Sequence, residues 1–170
     1  MKKLLIIGSH ERMWDDIHSL DDYHKYDVYA CNEAAVMYSQ HIDVLVTLHP
    51  DNLYFGKEWV QRRAAINYTN NNYQIISNWM VGELLLEGRP ALVMKAPTVS
   101  GTTVLFAVMC GIWAGYDDIA IAGAPMEDSQ YHDYRKGWEE KVAVLRGTMV
   151  RSMSGWTKQF LESIELQTNP

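Results

Sequence analysis

Ser100-Gly101-Thr102-Thr103, followed by the run from Val104 to Ala114, is the stretch whose reading decides the fold. The run is apolar almost all round and carries no charge, so it reads as a helix buried within the fold. Gly115-Tyr116-Asp117-Asp118 ends it, since glycine just past a helix accepts a left-handed backbone at little cost. Ile119-Ala120-Ile121-Ala122-Gly123 then reads as a strand.

The same alternation runs outward from there. Leu4-Leu5-Ile6-Ile7, closed by Gly8-Ser9, is a short continuous apolar run of the kind that forms a strand buried on both faces. A helical stretch comes next over Glu11 to Ser19, and Asp21-Asp22 marks a turn. Asp27-Val28-Tyr29-Ala30-Cys31 reads as a second strand, with Asn32 placed to cap a short helix over Glu33 to Gln40. The third strand, Ile42 to Leu48, is rich in β-branched residues and ends at His49-Pro50-Asp51. Gly56 to Ala65 reads as helix, Asn67 to Asn72 as a turn, and Tyr73 to Ile76 and Ala91 to Met94 as strands. Trp79 to Glu87 fits helix and strand alike. Trp138 to Arg146 and Thr157 to Leu166 read as helices. Strands alternating with helices argue an α/β protein with a mainly parallel sheet.

The 170 residues fit a single domain over 1–170 and suffice for a sizeable core. With 48% hydrophobic and 21% charged residues, disorder of the whole chain is excluded. Cys31 and Cys110 cannot make a disulfide framework and fit a reducing compartment. A net charge of −6, with no basic face visible in the sequence, argues against extended nucleic-acid binding. The apolar run after Lys2-Lys3 is too short for a signal core, and no run is long enough for a membrane span. The expectation is a soluble, cytoplasmic protein without membrane contact.

Ligands of open parallel sheets bind at the carboxyl ends of the strands, which directs attention to the residues just past each strand. Gly8-Ser9-His10 is either a plain strand-to-helix turn or a cradle of backbone amides for a phosphate. It lacks the further glycines of a dinucleotide fingerprint and the lysine of a P-loop. Ser100, Gly101, Thr102 and Thr103 can present hydroxyls and amides to an anion, beyond what one helix cap requires. Asn32 is a cap or a reader of base or sugar, since its amide both donates and accepts. His49, after the third strand, and His132, in the polar loop Tyr131-His132-Asp133-Tyr134, are candidate bases. Arg151-Ser152-Met153-Ser154-Gly155 reads as a helix connection or as a basic, hydroxyl-rich turn able to touch a phosphate, and Trp113, Trp138 and Trp156 as core or interface aromatics. Neither CxxC, HExxH nor GxSxG occurs, so no metal site and no serine nucleophile is expected.

Four pieces in order carry a resemblance: Leu5-Ile6-Ile7-Gly8-Ser9, Ala30-Cys31-Asn32-Glu33-Ala34, Val99-Ser100-Gly101-Thr102 with its buried helix, and Gly115 through Met126. The chain resembles the Rossmann-like group that holds bacterial lipooligosaccharide sialyltransferases, motility-associated-factor glycosyltransferases and archaeal-type 6-hydroxymethylpterin diphosphokinases. It also resembles small proteins of tailed bacteriophages. The resemblance implies a three-layer Rossmann-like fold. It implies that Asn32 meets a cytidine nucleotide, that Ser100-Gly101 precedes the nucleotide-facing helix, that Tyr131 or Tyr134 touches the leaving phosphate, and that His132 is a base. The sialyltransferases' Gly-Asn-Gly-Pro-Ser turn is here Gly8-Ser9-His10-Glu11, without the Asn or the Pro-Ser. No counterpart of the larger transferases' lid domain is expected in these residues.

Three functions are in play. The first is a transferase, a glycosyltransferase above all, using a nucleotide sugar as donor substrate. Gly8, Ser9 and Ser100 to Thr103 would hold phosphate, and Asn32 would read the nucleoside. His132 or His49 would deprotonate the acceptor, and Tyr131 and Tyr134 would steady the departing phosphate. The second is a non-catalytic nucleotide- or metabolite-binding module of phage type, working in the host cytoplasm. The third is a structural homo-oligomeric protein.

Overall fold

Leu4, Leu5, Ile6 and Ile7 are all fully buried, because strand β1 (Lys3–Ile7) has protein on both of its faces. Side chains alternate across a strand. Leu4 and Ile6 accordingly join one core cluster, and Leu5 and Ile7 another. The structure is a computed structural model that describes residues 1–49, 58–66, 72–78, 91–93 and 101–166.

Around β1 the chain forms α1 (Met13–His18), β2 (Asp27–Cys31), α2 (Ala34–Met37), β3 (Val44–Thr47), α3 (Glu58–Ile66), β4 (Gln74–Ser77) and β5 (Ala91–Val93). Then come α4 (Thr103–Trp113), β6 (Asp118–Ala122), α5 (His132–Glu139), α6 (Val142–Leu145), β7 (Val150–Ser152) and α7 (Gly155–Leu166). The seven strands make one sheet in the order β5-β4-β3-β2-β1-β6-β7, and each neighbouring pair is parallel. Helices cover both faces, which gives the expected α/β, Rossmann-like three-layer architecture. One face packs Val44, Val46 and Ile121 against α4, Trp138 of α5 and Leu161 of α7. The other packs Val28, Leu45 and Ala120 against Met13 and Ile17 of α1 and Trp59 of α3.

Helix α4 is buried along Thr103 to Gly111, as its uncharged sequence requires. Two charged residues of α3 join it to α2. Arg62 makes a two-pronged bond to Glu33, at 2.9 and 2.5 Å, and Trp59 Nε1 donates to the same carboxylate at 3.1 Å. Arg63, only 1% exposed, donates to the carbonyls of Ala35, Tyr38 and Gln40 at 2.7–2.8 Å. It thereby satisfies carbonyls at and beyond the open end of α2.

Several local expectations change. Asn32 does not cap a helix side-on: helix α2 starts at Ala34, and Asn32 itself sits in the left-handed region at φ 52. Its backbone N–H is spent on Val46 O at 3.1 Å, which prolongs the β2–β3 ladder by one residue. The polar segment 131–134 is not a loop but a 3-10 turn (Ser129–Tyr131) running into α5. Full burial of Trp138 is what pulls this charged sequence into a helix. The single helix read over Trp138 to Arg146 is two, α5 and α6. Arg151-Ser152 belongs to the edge strand β7, too short for an apolar period to show. There Arg151 pairs with the buried Asp118 and donates to Tyr26 Oη at 2.7 Å. Trp113 is 51% exposed, outside the core. The readings of 50–57, 67–71, 79–90 and 94–100 lie outside the described residues.

Candidate functional site

The strand order reverses between β1 and β6: the chain first lays strands outward from β1 to β5, then returns to the other side of β1. Loops leaving the two strands there part in opposite directions, and a crevice opens at their carboxyl ends. A cavity of about 680 Å³ occupies this position. Its floor is two strand-end turns pressed together. Gly8 N donates to Ala122 O at 2.8 Å, and His10 N donates to Gly123 O at 3.1 Å. A methyl group on Gly8 would run into Gly123 O, and one on Gly123, whose φ is 65, would lie 2.5 Å from Gly8 O. Only glycine allows both the contact and the positive φ.

Asp16 of α1 braces this floor from below. Its buried carboxylate accepts from Gly123 N at 2.8 Å and from Ser154 Oγ at 2.7 Å. The next residues along the chain are held the same way. Thr157 Oγ1 donates to Ala124 O at 2.7 Å, and Arg135 Nη2 donates to Met126 O at 2.6 Å. Arg135 also lies over the Trp156 ring, 4.9 Å from its centre.

Gly8, Ser9, Asn32, His49, Gly101, Thr102, Tyr131 and Tyr134 all line the one cavity. They come from the ends of β1, β2 and β3, the start of α4 and the approach to α5. Tyr131 and Tyr134 stand three residues apart, one helical step on the same side, with ring centres 6.4 Å apart. His132, between them, is exposed at the first position of α5 and is not among the lining residues. The structure therefore brings His49, not His132, to the cavity. Ser100 lies outside the described residues.

The hydroxyls at the start of α4 have separate tasks. Thr102 Oγ1 accepts from Leu105 N at 3.3 Å and caps the helix. Thr103 Oγ1 accepts from Asn32 Nδ2 at 3.1 Å. That bond fixes the Asn32 amide, and its Oδ1 is buried with no hydrogen-bond partner among the described residues. A buried acceptor without a donor is costly, by roughly 1–3 kcal/mol, and calls for one from elsewhere. Cys31 lines the same cavity, but burial pushes its thiol far up, so it stays protonated and is no nucleophile.

His10 and Thr103 also line the cavity, as do Glu11, Asp128 and Gln130, which were not singled out from sequence. Glu11 and Asp128 come soon after β1 and β6, so their place beyond a strand was a signal for them. Gln130, in the 3-10 turn Ser129–Tyr131, had none. Among the described residues no group of three His, Cys, Asp or Glu side chains is placed to hold a metal ion, and no helix is long and apolar enough to cross a membrane.

No protein-family model matches the chain, and no curated protein matches its sequence. Solved structures do resemble it. The sialyltransferase CstII from Campylobacter jejuni, in complex with the substrate analogue CMP-3FNeuAc, matches with a TM-score of 0.60 at 12% identity, covering 96% of this chain and 84% of that one. CstII in complex with cytidine-5'-monophosphate matches with a TM-score of 0.54 at 14% identity, covering 92% and 81%. The chain thus has a sialyltransferase-like fold.

Proposed function

We propose that this chain is a transferase-like protein that binds a nucleotide-activated donor in the cavity at the carboxyl ends of its strands. The donor is a nucleotide sugar, with a cytidine nucleotide as the leading candidate. The observation that carries this reading is Asn32 Oδ1, a buried acceptor with no donor among the described residues, in an amide already oriented by Thr103. An amino or hydroxyl group of a nucleoside is the donor it lacks. The fold shared with a transferase crystallised with CMP and a CMP-sugar analogue supports the same choice.

In the transfer reaction the acceptor hydroxyl attacks the anomeric carbon while the bond from that carbon to the phosphate oxygen breaks. His49 takes the acceptor's proton, and the nucleotide leaves with the bonding pair. The growing charge on its phosphate meets the turn at Gly8-Ser9, the start of α4 at Gly101-Thr102 with Ser100, and the hydroxyls of Tyr131 and Tyr134. A specific observation favours a second reading, a binding module without turnover. The His49 ring is exposed and has no partner among the described residues to orient it, whereas efficient bases are held.

Thermal-shift titration with CMP and a CMP-sugar tests the first reading, because a ligand at about 100 times its Kd stabilises by roughly 2.7 kcal/mol. Asn32→Ala is expected to weaken binding about tenfold or more. Wild-type melting that neither compound raises refutes the reading. Binding without release of CMP from the sugar in the presence of acceptors selects the second.

A further inference from the structure

His10 is a cavity imidazole to which the transfer reaction gives no task. It lines the cavity in the turn after β1, and its Nδ1 lies 3.2 Å from the backbone nitrogen of Arg12. A backbone N–H can only donate, so Nδ1 is the bare, accepting nitrogen, and in the neutral ring the proton sits on Nε2. The turn beneath the ring is held at both ends of the residue. His10 N donates to Gly123 O at 3.1 Å, and Met13 N donates to His10 O at 2.9 Å. The ring is thus kept in one tautomer, on a fixed piece of backbone, with a hydrogen-bond donor on its outer edge.

The charges around it make such a donor useful. Among the described residues lining the cavity, Glu11 and Asp128 are carboxylates and none is a lysine or arginine. An anion bound there must be met by neutral, oriented donors, which can be strong when they need not reorganise. The second imidazole, His49, has no comparable bond among the described residues, so of the two cavity histidines His10 is the one with a fixed donor.

We propose that His10 Nε2–H donates a hydrogen bond to the phosphate of the bound nucleotide, making His10 a ligand-contacting residue that stands in for a charged side chain. This rests on the proposal that the cavity takes a nucleotide. The test is calorimetric titration of wild type, His10→Ala and His10→Gln with CMP and with cytidine, which lacks the phosphate. A glutamine amide can place its nitrogen where the ring's outer donor stood. His10→Ala is expected to weaken CMP about tenfold or more and to leave cytidine within about twofold, with His10→Gln recovering most of the loss. Ring nitrogen shifts of the neutral imidazole should report a bare Nδ1 and a protonated Nε2. CMP binding unchanged in His10→Ala, or the opposite tautomer, overturns this inference alone. Wild-type protein that binds neither CMP nor cytidine overturns the nucleotide reading and this inference with it.

Discussion

Asp16→Ala is the sharpest test of how the cavity floor is built. Asp16 is 6% exposed, and one of its oxygens serves two donors, Gly123 N at 2.8 Å and Ser154 Oγ at 2.7 Å. Truncation removes a charged acceptor and strands both donors in a buried place. Hydrogen bonds to charged groups are worth about 1.5–3 kcal/mol each, so the pair amounts to roughly 3–6 kcal/mol. Ser154 can turn its hydroxyl elsewhere, which puts the expected loss near the lower end, about 3 kcal/mol. Ser154→Ala removes one bond without stranding a buried N–H and should cost about 1.5 kcal/mol, the lower end for one such bond. Asp16→Asn keeps an accepting oxygen and should fall between the two. Urea unfolding followed by tryptophan fluorescence measures all three variants and the Asp16→Ala/Ser154→Ala double. The double variant should lose less than the sum of the singles, because the two residues share one bond. Loss below about 1 kcal/mol in Asp16→Ala, or strict additivity in the double, would refute the brace.

Three further predictions concern stability and reactivity. Arg63→Ala strands three carbonyls around the end of α2, and a loss of about 3 kcal/mol should lower the melting temperature by roughly 6–12 °C. An unchanged melting temperature in calorimetry would contradict the placement of Arg63. Burial pushes the Cys110 thiol up to about 12 and Cys31 further, while an unfolded chain would release those protons near the ordinary value of 9.0. Between those limits the folded state holds more protons than the unfolded one, so stability should fall as pH rises above about 9. Native protein at about pH 8 should also react with a disulfide reagent only as fast as it opens, because a buried thiol is inert. Two thiols titrating at once would show that both are accessible.

Sequence and structure part along physical lines. Helix α4 was legible because eleven nearly uninterrupted apolar residues have no stable place but an interior. β1, β2, β3 and β6 were legible because strands covered on both faces need apolar side chains at consecutive positions, and their ends were marked by glycine or polar residues. Strand β7 was not, since three residues with an arginine in the middle carry no period. The first turns of α5 read as a loop, because one buried tryptophan outweighs a charged local sequence only once the core it enters exists.

The amino-acid order alone determined that several polar strand ends would share one rim of a parallel sheet, since that follows from alternation and from the direction all strands run. It could not assign tasks within the rim. Asn32 is oriented by a residue 71 positions away, and Asp16 by partners 107 and 138 positions away. His49 and His132 look alike in sequence, yet one lines the cavity and the other does not, because a helix rather than a loop carries His132. Those contacts arise from packing between elements, and local sequence holds no record of them.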